Sequence, residues 1–181
     1  MKGLFQMKKE NQRVEKLCSF YVSDWHFATM LLPYINRKIQ EQVNVITLLE
    51  NNIEENMKTL VKKLNLKNQE KILEIDWNNR NTIKYAEVEE LLEQKINKEG
   101  KNMILINGSR DYIERNNQNI QRWIEKIEVK EIKIINFFEV TEFNHHIVEI
   151  LNSHDRVLNT SGEKEITEVF EGYQKEVAGN A

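Results

Sequence analysis

The feature that most constrains this chain is a set of short, nearly continuous apolar runs, each separated from the next by a stretch with helical periodicity. Val43-Asn44-Val45-Ile46-Thr47-Leu48-Leu49 is the clearest of them. A β-branched run with no polar alternation describes a strand covered on both faces, which is the environment of a parallel sheet. Parallel strands need long crossovers, and the intervening segments have the length and apolar spacing of helices. The expected fold is therefore a three-layer α/β domain, with a mainly parallel sheet of five to six strands and helices on both faces, RecA-like or Rossmann-like.

The expected elements follow in order. Leu17–Val22 is the first strand, ended by Ser23-Asp24 as a helix cap. A helix runs from Trp25 to about Gln42, with Pro33 predicting a kink or a later start. Val43–Leu49 is the second strand and Ile53–Leu64 a helix. Ile72–Trp77 is expected to be a third strand, and Ala86–Lys98 a helix closed by Gly100. Met103–Asn107, Ile132–Phe138 and Arg156–Thr160 complete the strands, with helices over Tyr112–Lys126 and Phe143–Leu151. Residues 116–119, all Asn or Gln, are poor helix formers in the middle of the first of these. Residues 1–12 read as a loose arm, and the tail after Gly162 as one helix, Glu165–Val177. No repeat or Pro/Gly-rich linker divides the 181 residues, so one domain is expected.

Composition excludes several classes. Twenty-six basic against twenty-nine acidic residues give a formal charge of -3, so no global positive field exists to hold nucleic acid. No apolar run approaches the roughly 20 residues of a membrane span. The single cysteine, Cys18, forms no internal disulfide and sits in a strand, where a buried hydrophobe is expected rather than a nucleophile; a cytoplasmic location fits.

Ligands of open parallel sheets bind beyond the carboxyl ends of the strands. The candidate binding residues are accordingly Ser23, Asp24, Trp25 and His26 after the first strand, Glu50 and Asn51 after the second, Asn107, Gly108, Ser109 and Arg110 after the Met103–Asn107 strand, and Glu139 after the next. Asp76 and Trp77, after the expected third strand, stand in the same class of position. The first turn, Val22-Ser23-Asp24-Trp25-His26, has no glycine and neither GxxxxGK[ST] nor GxGxxG, and Asp24 repels a phosphate at that helix N-terminus. Ordinary nucleotide use is disfavoured, and no cofactor is implied. Ser23 or Asp24 as a plain cap, with Trp25 packed at the rim, competes with a small polar pocket having an aromatic wall. Gly108 permits close backbone approach and Arg110 can pair with a carboxylate or phosphate, although a glycine there also serves a simple turn. His145 and His146 point about 100° apart on a helix, so they cannot share a metal. Lys58, Lys62, Lys63 and Lys67 read as a solvated face among Glu54 and Glu55.

Two stretches carry a family resemblance. Phe20-Tyr21 followed by a helix with Pro33-Tyr34-Ile35 and a strand at Val45-Ile46-Thr47 resembles the start of the MEDS family, a sensory domain of methanogens and methylotrophs. Residues 134–139 (Ile-Ile-Asn-Phe-Phe-Glu) with Phe143, a helix through Ile150-Leu151, and His154-Asp155-Arg156-Val157-Leu158 are similar to that family's closing strand, helix and histidine-containing turn. The resemblance implies a RecA-like core with a degenerate phosphate loop, acting as a sensing module. It departs at Phe137-Phe138, where an aromatic-acid pair belongs, and no DNA-binding or kinase domain is expected within these 181 residues.

The expected function is a non-catalytic sensory or regulatory module that binds a small ligand or a partner protein at the strand ends. Two alternatives stand beside it: an enzyme using Asp24, His26 and Glu50 for acid–base chemistry on a small substrate, and an interaction subunit of a homo-oligomer.

Overall fold

The computed structural model describes residues 12–78 and 84–175, with side chains except at 141–145. The expected N-terminal arm and most of the loop at 78–82 lie outside the described residues. In chain order the elements are β1 (Arg13–Tyr21), α1 (Asp24–Gln40), β2 (Asn44–Leu49), α2 (Glu54–Lys63), α3 (Gln69–Glu74), α4 (Tyr85–Lys95), β3 (Lys101–Asn107), α5 (Arg110–Ile124), β4 (Glu131–Glu139), α6 (Val140–Asn152), β5 (Arg156–Asn159), β6 (Gly162–Glu165) and α7 (Ile166–Val169).

All six strands form one sheet in the order β2-β3-β4-β1-β5-β6. Every pairing is parallel except the β5–β6 hairpin. Alternate residues of each strand feed two cores, as a strand's period of two requires. Leu17, Leu49, Leu105, Ile135, Phe137 and Leu158 pack with α1, α2 and Ile72. Cys18, Ile46, Ile104, Ile134, Phe138 and Val157 pack with α4, α5 and α6 on the opposite face. From β1 the chain travels to the β2 edge and returns through β3 and β4. It then passes over β1 to β5. The exits of β1 and β4, neighbours in the sheet, therefore lead to helices on opposite faces. This is the switch point at which open α/β sheets form a crevice.

Three expectations are corrected. Ile72–Trp77 is no strand: residues 69–74 form α3, and Trp77 Nε1 donates to the Ile72 carbonyl at 2.7 Å. The two buried side chains, Ile72 and Trp77, are five residues apart, while Leu73, which a strand would place on the Trp77 face, is 42% exposed. Period two is absent, and β2 pairs directly with β3, leaving no slot between them. Secondly, the tail after Gly162 begins with β6 and the single turn α7 instead of one long helix. Gly162, at φ 107°, makes the hairpin turn that only glycine adopts freely. Thirdly, α1 starts at Asp24 and runs through Pro33 to Gln40. Pro33 lies on the exposed side with Thr29, so the carbonyl that loses its donor is not sealed in the core. Cys18 is fully buried, and burial pushes its thiol up to about 12, as befits a small core side chain.

Candidate functional site

The first rim turn is built by capping. Ser23 Oγ accepts from the His26 N–H at 3.2 Å, and His26 Nδ1 accepts from the Val22 N–H at 3.1 Å, so the imidazole folds back onto the turn that carries it. Trp25 points outward at 51% exposure rather than packing at the rim. Val22 beside it is 63% exposed, and Val140, the next residue after the Tyr21–Glu139 pair of the β1–β4 ladder, is 37% exposed. Three apolar side chains thus stand in solvent at the switch point.

The second turn holds a carboxylate of its own. The Ser109 N–H donates to Glu50 Oε2 at 2.6 Å, and Ser109 Oγ lies 3.5 Å from Glu50 Oε1. Ser109 also caps α5 by accepting from the Tyr112 N–H at 3.3 Å. Gly108 is required by this packing, because a Cβ there would collide with the Glu50 carboxylate and stand 2.7 Å from both Glu50 Cβ and Tyr112 Cδ1. The turn that the sequence marks as an anion binder is occupied by Glu50. Arg110 is likewise engaged: its Nε meets Glu114 at 2.7 Å and its Nη2 meets Glu149 at 2.6 Å, tying α5 to α6.

Beneath both turns, Asn107 Nδ2 donates to the buried Tyr21 hydroxyl at 2.7 Å. Burial raises that phenol to about 12, against the Asn107 hydrogen bond, and the carboxylates of Glu139, Asp24 and Glu50 push it in the same direction. The charges of three acids of the expected set, at the ends of three different strands, thus act on one hydroxyl. Asn51 is exposed, while Asn52 Oδ1 accepts from the Glu54 N–H at 3.0 Å in the turn that leads into α2. Asp76 sits away from the rim set, its carbonyl accepting from Thr47 Oγ1. Among the described residues no hydrogen bond or ion pair joins Asp24, His26 and Glu50 to one another.

A groove absent from the sequence reading lies between α5 and α6, with a volume of about 550 Å³. Its floor is Lys16 of β1 with Asn136 and Phe138 of β4, and of the expected site residues only Arg110 reaches it. The floor is a closed polar network. Asn117 Nδ2 donates to Asn136 Oδ1 at 2.9 Å, Asn136 Nδ2 meets His154 Nε2 at 2.9 Å, and His154 Nδ1 meets the Ile150 carbonyl at 2.5 Å. The consistent tautomer is a neutral ring with its proton on Nδ1. Burial, assisted by the charge of Lys16, depresses His154 to about 4. Two signals pointed there: an asparagine inside the apolar run 132–138, and Asn117 on the stripe Ile113, Asn117, Ile120, Ile124 that otherwise faces the core.

A second charged cluster sits at the other end of β1, under α1. Glu163 receives Tyr34 Oη and Lys133 Nζ, both at 2.6 Å, and Arg156 Nη1 at 2.9 Å. Although burial opposes ionisation, these donors hold Glu163 below the usual carboxylate range. The cluster fastens β6 to β5, β4 and the end of α1.

Lys58 pairs with Glu54 at 2.7 Å on an exposed helix face, as the charge pattern suggested. Comparison of the chain with protein-family models, with curated proteins and with solved structures gave no match.

Proposed function

We propose that this chain is a non-catalytic sensory or regulatory module, similar to MEDS domains, that works by docking a partner protein on the carboxyl rim of its sheet. The single observation that carries the reading is the Glu50 carboxylate seated on the Ser109 N–H at 2.6 Å, on a rim where Asp24 follows β1 and Glu139 ends the neighbouring β4. A phosphate arriving there meets three carboxylates and finds the best-placed backbone donor already taken. The five parallel strands run 2-3-4-1-5, an order that supports a RecA-like core whose phosphate loop has been lost.

What remains open at the rim is apolar and acidic. Val22, Trp25 and Val140 offer exposed apolar area, and exposed aromatics are the side chains that anchor protein interfaces. The complementary surface is apolar with flanking basic residues.

The test uses a photoreactive amino acid placed at position 25 and, as a control, at Glu99, an exposed residue beside the opposite ends of the strands. A discrete crosslinked partner from position 25 alone, lost in Val22→Asp, supports the reading. Equal products from both positions, or none, count against it. Turnover of any substrate that Asp24→Ala and His26→Ala abolish in a folded protein establishes the enzyme instead.

A further inference from the structure

We propose that the groove between α5 and α6 is a binding site for a small organic monoanion with an apolar body, its carboxylate held by Lys16 Nζ. The partners of the cations lining the groove lead there. Arg110 is shared by two carboxylates, Glu114 at 2.7 Å and Glu149 at 2.6 Å, and the Arg122 guanidinium stacks on the Tyr85 ring at 4.0 Å. Glu125 is exposed and accepts from Gln121 Nε2 at 3.4 Å. Asp155 accepts from the Lys16 backbone N–H at 2.8 Å and attracts the ammonium without forming an ion pair with it.

Lys16 Nζ is the lining cation left without a direct partner. It makes no hydrogen bond or ion pair with any described residue, although its side chain lies half-buried on the floor. A partly desolvated ammonium with no counter-ion in direct contact is costly, and an incoming anion recovers part of that cost. The rest of the lining sets the ligand's shape. Ile113, Phe138 and Ile150 give an apolar wall, and the Asn117–Asn136–His154 network, its hydrogen bonds closed internally, fixes the floor without competing for the ligand. The volume of about 550 Å³ is that of a small-molecule site.

The groove is separate from the rim, so failure here leaves the docking reading standing, and failure of the crosslink leaves the groove standing. The experiment is an amide-shift titration of the full chain with hexanoate, benzoate and 4-phenylbutyrate, using 1-hexanol as the uncharged control. The expected result is saturable millimolar binding of at least one carboxylate, with shifts at Asn117, Asn136, Ser153 and His154 and none at Trp25. Lys16→Met should weaken binding about tenfold or more, and Lys16→Arg should retain it. Gln118→Trp, a change at an exposed lining position, should block entry in a folded protein. No saturable shift with any of the three, equal binding of 1-hexanol, or unchanged affinity in Lys16→Met or Gln118→Trp overturns the proposal.

Discussion

The Asn107 amide, at the end of β3, donates to the Tyr21 hydroxyl, at the end of β1, across the intervening strand β4 at 2.7 Å. Both residues are buried, and Asn107 Oδ1 has no partner among the described residues. The bond closes the floor of the rim on the α1 side, where Tyr21 also packs against Phe27 with ring centroids 5.3 Å apart.

Tyr21→Phe keeps that ring and leaves the whole Asn107 side chain unpaired. Urea unfolding should show a loss of about 1–3 kcal/mol, the cost of an orphaned buried amide. The double change Tyr21→Phe with Asn107→Leu should recover part of it.

Glu50→Ala empties the Gly108-Ser109 turn. The variant should gain a rise in Tm with added inorganic phosphate that the unaltered protein lacks, because a free Ser109 N–H at the start of α5 then donates to an external anion. Gly108→Ala, by contrast, should lose about 1–3 kcal/mol through overpacking against Glu50 and Tyr112.

His154 gives the pH dependence. Its folded value of about 4 lies below the ordinary 6.5, so the unfolded chain binds the proton first on acidification. Stability from this residue is complete above about pH 6.5 and is lost as pH falls towards about 4, a span worth about 3 kcal/mol at about 1.4 kcal/mol per pH unit. Urea unfolding of the unaltered protein and of His154→Gln, at neutral pH and near pH 4.5, isolates the effect. The difference between the two proteins should shrink on acidification.

Glu163→Ala removes the acceptor shared by Tyr34, Lys133 and Arg156. Because the site is partly solvated, the expected loss is about 2 kcal/mol rather than the full cost of a buried ion pair. Hydrogen exchange should rise first in β6, which only β5 pairs.

Several features were legible because they depend on local chemistry. Val43–Leu49 and Ile132–Phe138 are apolar on both faces and became central or covered strands, and Ser23 caps the helix that follows it. Ile72–Trp77 misled because a short apolar pair has no period of its own; the α1–α2 layer decided its shape by burying Ile72 and Trp77. The residues after the strands were named from a rule about strand ends, and their relationships were not, since Glu50 and Ser109 lie 59 positions apart and meet only through the β2–β3 pairing.

The sequence by itself determined the alternation of buried strands with covering helices, the caps, and the lack of a glycine-rich phosphate turn, because each is set by neighbours within a few residues. Tertiary structure alone decided that Glu50 fills the anion turn, that Asn107 meets the Tyr21 hydroxyl across β4, and that Lys16 lies without an ion pair beneath two helices. Those facts depend on strand order, and strand order is chosen by which distant apolar faces bury each other.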